Sequence, residues 1–173
     1  MKIDLYGWMP QENRQVLKKL IKQNDIKTVI EIGCFLGKST HFFAKRGCHV
    51  LSIDTFEGAK DLNRCKEVIP RLPNLFEQFK FNMQALGLTD RVSWFKGTSA
   101  DAHKIFKHSA DLVYIDGSHE YEDVINDINL WMPRATKIIC GDDYSGNHPG
   151  VTQAVDELIP NANTKNRVWF KKI

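Results

Sequence analysis

The stretch TVIEIGCFLGKST, residues 28–40, decides the fold class of this chain, because it passes from an apolar run to helix-like sequence across two glycines. The apolar run predicts a buried strand, and Gly33 and Gly37 permit a tight turn with close backbone approach to a ligand. A helix that begins near Lys38 presents unpaired amide groups to an anionic group. We therefore predict a strand, a turn and a helix around a bound nucleotide-like molecule.

The same order of buried strand and helix repeats along the chain. An amphipathic helix is predicted over 11–24, inside an N-terminal helical segment 1–26. Apolar runs predict strands at 28–33, 49–54, 91–96, 111–116 and 138–142, and helices follow at 38–46, 75–86, 100–107, 120–131 and 150–158. This alternation predicts an α/β fold, a Rossmann-like doubly wound, mostly parallel sheet with helices on both faces. The final residues, 167–173, are predicted to form a strand at the sheet edge.

The length and the patterning predict one domain over residues 1–173. The stretch 55–74 is longer than an ordinary connection and contains Pro70 and Pro73. It is a candidate lid on the substrate side, with a plain surface excursion as the equal alternative.

The composition argues against several classes of protein. The formal net charge is +3, with basic residues scattered among acids, so no nucleic-acid partner is expected. No apolar run approaches the about 18 residues of a membrane span, and no signal pattern is present, so we expect a cytoplasmic protein without membrane contact. Four cysteines form no CxxC pair and are expected to be reduced: Cys34, Cys48, Cys65 and Cys140.

Acidic residues mark the ends of the predicted strands. Glu31 stands near the end of the first strand and Asp54 ends the second. Asp116 ends the fourth, and Asp142 and Asp143 end the fifth. Any one acid at such a position is explained by contact with water. Because ligands bind outside the carboxyl ends of parallel strands, all of them together predict a site.

The turn itself discriminates between nucleotide ligands. Asp54 lies about 20 residues past the glycines, where a carboxylate can accept both hydroxyls of an adenosine ribose. Cys34 occupies the place of the second glycine of GxGxxG, which disfavours a pyrophosphate and hence an NAD-dependent oxidoreductase. Glu31 suits a ligand that carries an ammonium or a sulfonium group. S-adenosylmethionine meets these requirements.

The chain resembles the class I S-adenosylmethionine-dependent methyltransferases, and more narrowly the small metal-dependent O-methyltransferases of the catechol and macrolide-sugar types. The resemblance rests on GWM at 7–9, EIGCFLGKST at 31–40, LSIDTFEG at 51–58, YIDGSHEY at 114–121 and CGDDY at 140–144. It implies the class I methyltransferase fold and a set of cofactor-binding residues: Glu31, Gly33, Phe35, Gly37, Ser39, Asp54, Thr55, Ser99, Ala100 and Asp116. In that set Ser39 reaches the methionine carboxylate and Ser99 contacts adenine, with a helix N-cap as the alternative role for Ser99.

The resemblance also implies a divalent metal. Asp116, Asp142 and Asp143 stand where the metal-dependent relatives place their ligands, and three carboxylates at one point suit Mg²⁺. The alternative is that Asp143 caps the following turn while the other two face the site.

His119 is the candidate general base, acting beside Asp116. It lies near the start of a predicted helix, whose dipole favours the neutral imidazole that can accept a proton. The macrolide-sugar relatives have histidine at this position and the catechol type has lysine. His148 either reaches the site from the loop after the fifth strand or belongs to a turn.

These residues predict methyl transfer to a small-molecule hydroxyl, with a sugar-like or other vicinal diol favoured over a catechol by the resemblance. Two alternatives stay open: a metal-independent methyltransferase, and a non-catalytic protein that binds S-adenosylmethionine. The chain has little material beyond the core sheet with which to build an acceptor pocket, so a homodimer that completes the pocket is also considered.

Overall fold

The computed structural model describes residues 1–58 and 66–173. Its strands are β1 Thr28–Ile32, β2 His49–Asp54, β3 Val92–Lys96, β4 Ala110–Ile115, β5 Ala135–Gly141, β6 Asn163–Lys165 and β7 Val168–Lys172. Its α-helices are α1 Gln11–Gln23, α2 Lys38–Ala44, α3 Leu75–Ala85, α4 Ser99–Ile105, α5 Tyr121–Trp131 and α6 Pro149–Leu158. Single 3₁₀ turns occupy Ile69–Arg71 and Met132–Arg134. The predicted alternation of strand and helix is confirmed.

The strands form one seven-stranded sheet in the order β3-β2-β1-β4-β5-β7-β6. Strands β1 to β5 pair in parallel, and β7 runs antiparallel to both of its neighbours. The doubly wound prediction is therefore confirmed, but the predicted edge position of the last strand is wrong. The edge belongs to β6, three exposed polar residues without an apolar signal in the sequence.

Successive side chains of the central strands enter opposite core layers. Leu112 and Tyr114 of β4 pack in the layer that contains helices α1 to α3. Val113 and Ile115 pack in the layer of α4 to α6. Because both faces of β4 are covered, the strand is buried without interruption from Leu112 to Ile115, as expected for a parallel strand. The acids Asp116, Asp142 and Asp143 follow the ends of β4 and β5.

The candidate lid lies partly outside the described residues, since 59–65, including Cys65, are not described. Within its described part, Phe56 is buried against Phe76 and Phe79 at ring-centroid distances of 4.9 and 5.3 Å. Arg71 forms an ion pair with Asp4 at 3.3 Å. The lid function stays a prediction.

Among the helices of the described residues, none has the length and apolar character needed to cross a membrane.

Candidate functional site

A cavity lies beyond the carboxyl ends of β4 and β5. These strands are parallel neighbours, with Ile115 opposite Gly141, so the residues that follow each strand meet. The cavity is lined by Ile115, Asp116, Gly117, Ser118, His119, Val124, Asp142, Asp143, Val151 and Trp169. The structure thus brings together four residues that the sequence predicts for the site, Asp116, His119, Asp142 and Asp143.

Asp142 is buried and Asp116 is half-buried at the ends of neighbouring strands, and the carboxyl groups of both have a raised pKa. Burial, followed by the charge of Asp142, raises the pKa of Asp116 well above its usual range. The Tyr114 hydroxyl donates a hydrogen bond to Asp116 Oδ2 at 3.1 Å and partly offsets this effect. Burial also raises the pKa of Asp142, against the opposing influence of Asn13 and Arg167. The pair therefore favours any cation that enters the cavity.

Asn13 of α1 is a site residue that sequence reasoning missed. Its amide Nδ2 donates to both carboxylate oxygens of Asp142, at 2.7 and 2.9 Å. Asn13 lies on the stripe that also carries Val16, Leu17 and Leu20, where a polar side chain is unexpected. That interruption of an apolar face was the available signal. Asn13 thus connects helix α1 to Asp142, which lines the cavity.

Asp143 occupies the left-handed backbone region, with φ of 64°. Its Oδ2 lies 2.7 Å from His119 Nε2, and its Oδ1 lies 3.6 Å from His148 Nε2. The Arg167 guanidinium also contacts Oδ1. Asp143 is buried and lines the same cavity as Asp116 and Asp142, so the alternative in which only those two face the site does not describe this structure.

Arg167 and His148 contact Asp143 from outside the lining of the cavity, and sequence reasoning missed Arg167. Arg167 immediately precedes β7, and its carbonyl oxygen accepts a hydrogen bond from the Tyr144 amide at 3.0 Å. Because β7 pairs with β5, the Arg167 guanidinium lies against Asp143. The rings of His148 and His119 lie 4.1 Å apart between centroids, so His148 contacts a residue that lines the cavity.

The glycine turn, residues 33–37, lies directly against two residues that line the cavity, Asp116 and Gly117. Gly33 has φ of 83°, and a Cβ built there would lie 2.6 Å from Gly117 Cα and closer still to the Asp116 carbonyl group. Gly37, with φ of 88°, precedes α2. Both glycines are required by backbone geometry, as predicted. The contact places the turn and the cavity side by side.

Asp54 holds the glycine turn in shape. Its Oδ2 accepts hydrogen bonds from the Cys34 and Phe35 amides, each at 2.8 Å, and its Oδ1 accepts one from the Phe56 amide at 2.6 Å. Phe35 has φ of 48°, a left-handed conformation that these bonds stabilise. The predicted ribose contact of Asp54, with neighbouring Thr55, stays a prediction.

Glu31 lies fully buried beneath the turn. Its Oε2 accepts hydrogen bonds from the hydroxyls of Thr40, at 2.5 Å, and Ser52, at 2.8 Å. Burial raises the pKa of Glu31 to about 7, while these hydroxyls and that of Ser39 act in the opposite direction. Ser39 is itself buried in the first turn of α2. The polar environment of Glu31 in this structure is supplied by protein hydroxyls.

Ser99 is not the N-cap of α4. That position belongs to Thr98, whose hydroxyl accepts a hydrogen bond from the Asp101 amide, so the N-cap alternative for Ser99 is wrong. The Ser99 hydroxyl instead donates to Asp127 of α5, a carboxyl group whose pKa burial raises to about 6. Ala100 follows in the first turn of α4. The predicted adenine contact of both residues stays a prediction.

Aromatic side chains flank the other side of the glycine turn. Trp8 lies 6.0 Å from Phe35 and 5.3 Å from Tyr6 between ring centroids, and 55% of its surface is exposed. Lys38, the first residue of α2, donates a hydrogen bond from Nζ to the Gly7 carbonyl oxygen at 2.5 Å. The N-terminal segment thus presents an exposed aromatic ring next to the turn.

Sequence and fold comparisons agree with this arrangement. Residues 30–144 match a family model described as a methyltransferase domain. Comparison with curated proteins gives no match.

Three solved structures share the fold along most of their length. A protein assigned as a caffeoyl-CoA O-methyltransferase from Staphylococcus aureus is 16% identical, with a TM-score of 0.74 over 96% of this chain and 85% of that one. An O-methyltransferase from Bacillus cereus in complex with SAH is 15% identical, with a TM-score of 0.68 over 97% and 82%. A calicheamicin methyltransferase is 16% identical, with a TM-score of 0.73 over 94% and 80%.

Proposed function

The chain belongs to the methyltransferase-domain family, and on that premise we propose that it transfers the methyl group of S-adenosylmethionine to a hydroxyl of a small molecule. The observation that carries the proposal is the contact between the backbones of Gly33 and Asp116. A donor bound on the glycine turn has its reactive end beside the cavity of acids and His119. The class I methyltransferase fold puts both features at the carboxyl ends of the strands.

The proposed donor site uses the groups around the turn. The first amides of α2 and the Ser39 hydroxyl would receive the methionine carboxylate, since a helix N-terminus favours an anion. Asp54 would accept hydrogen bonds from the ribose hydroxyls, because its carboxylate has lone pairs beyond those that bind the turn amides. Gly33, Phe35, Gly37 and Thr55 would line the methionine and ribose parts, Ser99 and Ala100 the adenine, and Glu31 and Asp116 would add negative charge near the sulfonium.

His119 is the proposed general base. Its Nε2 faces Asp143 Oδ2 at 2.7 Å, and a proton held there leaves Nδ1 as the basic nitrogen. As the acceptor oxygen attacks the methyl carbon, the carbon–sulfur bond breaks and the electron pair leaves on sulfur. The hydroxyl proton passes to the imidazole. Asp143 stabilises the imidazolium that results.

The acid cavity suits a Mg²⁺ ion in donor chemistry and in charge. Asp116, Asp142 and Asp143 offer carboxylate oxygens to one cavity, and the mutual repulsion of the first two would be relieved by a divalent cation. We therefore retain metal-dependent transfer as the first candidate mechanism. When bound, such an ion would lower the pKa of the acceptor hydroxyl and orient it.

Metal-independent transfer is the second candidate, favoured by one observation. The Arg167 guanidinium already contacts Asp143, and its charge partly offsets the rise in the pKa of both Asp116 and Asp142. A resident cation of this kind supplies part of the neutralisation that a metal would supply. Arg167 and Mg²⁺ are then competitors for the same carboxylates.

The test is a methyl-transfer assay with labelled S-adenosylmethionine and a panel of sugars, vicinal diols and catechols. We expect His119→Ala to lower turnover about a hundredfold or more, while the affinity for S-adenosylhomocysteine stays nearly constant. His49→Ala, an exposed histidine at the opposite end of β2, is the matched control. Equal turnover of His119→Ala and the unaltered protein would remove His119 from the mechanism.

A chelator arm separates the two mechanisms. Loss of turnover after chelation, restored by Mg²⁺, supports the metal-dependent candidate. Turnover that is insensitive to chelator supports the candidate that relies on Arg167. Binding of S-adenosylhomocysteine without transfer to any member of the panel would favour the non-catalytic alternative.

A further inference from the structure

Two histidines and one acid form a nitrogen-rich group at the edge of the cavity. His119, Asp143 and His148, called here the His-Asp-His cluster, have ligand atoms that all lie within 4.8 Å of one another. His119 follows β4, Asp143 follows β5, and His148 directly precedes α6. Three separate elements therefore supply the cluster. Asp116 and Asp142 are not part of it.

We propose that the His-Asp-His cluster binds Zn²⁺ or a similar transition-metal ion, and that such binding inhibits methyl transfer. Two imidazole nitrogens and one carboxylate are a donor set that suits Zn²⁺, whereas Mg²⁺ takes oxygen ligands. A tetrahedral zinc ion holds its ligand atoms about 3.3 Å apart, which the spacing of the cluster accommodates with small side-chain adjustments. Three protein ligands leave a fourth position for water.

The cluster is distinct in chemistry from the oxygen-lined side of the cavity. Asn13 donates hydrogen bonds to both oxygens of Asp142, and that carboxylate is not part of the cluster. Among the acids that the structure describes, Asp143 both lines the cavity and contacts the two imidazoles. A hard ion is thus expected on the acid side and a borderline ion on the histidine side, with Asp143 shared.

Arg167 determines how tightly the ion binds. Its guanidinium contacts Asp143 Oδ1, and a metal ion at the cluster would share that carboxylate with a positive charge. The Arg167 side chain is 40% exposed, while that of Asp143 is 11% exposed. The arginine has solvent to move into, and the aspartate does not. Removing the guanidinium should therefore strengthen metal binding.

Inhibition follows from the identity of one ligand and rests on the proposed function. A metal ion at the cluster takes a nitrogen of His119, and an imidazole bound to a metal is no longer a base for the acceptor hydroxyl. His148 contributes to the ion without being needed as that base. Sensitivity of turnover to Zn²⁺ should consequently depend on His148.

The binding test uses the full chain without donor or acceptor. Zn²⁺ is titrated by calorimetry, and Co²⁺ is titrated by absorption, because its visible bands report tetrahedral nitrogen and oxygen coordination. We expect one ion per chain and a loss of affinity of about a hundredfold in His148→Gln. Arg167→Gln should bind more tightly than the unaltered chain, and the control His49→Gln should bind equally. Circular dichroism verifies that each variant is folded, and His148→Asn replaces His148→Gln if the latter is not.

The outcomes separate this proposal from the proposed function. Equal Zn²⁺ affinity in His148→Gln, or in its Asn replacement, and in the unaltered chain would overturn the cluster as a metal site.

If binding depends on His148, inhibition is measured in the methyl-transfer assay at constant Mg²⁺. Each variant is compared with its own rate without Zn²⁺, and the inhibition constant should shift by the factor seen in binding. An inhibition constant for Zn²⁺ that is the same in His148→Gln and in the unaltered chain would overturn the inhibitory role. Absence of transfer in every chain would count against the proposed function and leave the binding result standing.

Discussion

Alanine at Gly33 should destabilise the protein far more than alanine at Gly47, although both glycines have nearly the same backbone conformation. Their φ angles are 83° and 87°. An alanine in the left-handed region costs about 1 to 2 kcal/mol at either position. A Cβ at Gly47 meets nothing within 4 Å, so this conformational cost is the whole expected effect there.

At Gly33 the added Cβ meets backbone that has no room to move. It would lie 2.5 Å from the Asp116 carbonyl carbon and 2.6 Å from Gly117 Cα. The Gly33 amide donates to the Ile53 carbonyl at 2.9 Å, and the Asp116 amide donates to the Ile32 carbonyl at 2.8 Å, so both chains are held by the sheet. Separating them adds overpacking strain of about 3 kcal/mol and weakens bonds that contribute about 1 kcal/mol each.

We therefore expect Gly33→Ala to lose about 4 to 5 kcal/mol of unfolding free energy, against about 1 to 2 kcal/mol for Gly47→Ala. Urea unfolding followed by circular dichroism measures both. Gly37→Ala should fall between them, because its Cβ meets the Met83 methyl group at 2.5 Å and a flexible methionine can move away. Equal losses for Gly33→Ala and Gly47→Ala would refute the close approach of the turn to Asp116.

Three further changes have defined outcomes. Burial raises the pKa of Glu31 to about 7 in the folded protein. Between about pH 5 and 7 the folded state therefore binds more protons than the unfolded state, so the unfolding free energy falls as the pH rises. Glu31→Gln should make the unfolding free energy fall less steeply across that window, by up to about 1.4 kcal/mol per pH unit, and a slope like that of the exposed control Glu12→Gln would contradict this. Phe79→Ala should lose about 3 to 5 kcal/mol by urea unfolding, because Phe79 is fully buried against Phe56 and Trp94, and a loss below 1 kcal/mol would show that it is not. Asp54→Asn should weaken S-adenosylhomocysteine binding at least about tenfold by calorimetry, and an unchanged dissociation constant would remove the ribose role.

The element pattern was predictable because burial on both faces of a parallel sheet leaves a local signature. The bounds of each of the first five strands were predicted to within three residues, from apolar runs alone. β6 was not, because Asn163–Lys165 is exposed and polar and pairs only with β7. Consequently the last strand was placed at the edge instead of beside β5.

The candidate site was predictable only where its residues stand at strand ends. Asp116 and Asp142 follow apolar runs that predict neighbouring strands, so their approach follows from the order of a doubly wound sheet. Asn13 and Arg167 lie outside those runs, on a helix and in a turn. Nothing in their neighbouring residues says which strand end they face.

The sequence by itself determined the alternation of strands and helices, the glycine turn and the set of acids. Each depends on local constraints: the two-residue period of a strand, the backbone freedom of glycine, and the exclusion of unpaired charge from a strand interior. Only the tertiary structure decided what surrounds the acids. β7 enters between β5 and β6 and brings Arg167 to Asp143, while α1 brings Asn13 to Asp142. These contacts join residues far apart in the chain, and the order of strands in the sheet brings them together.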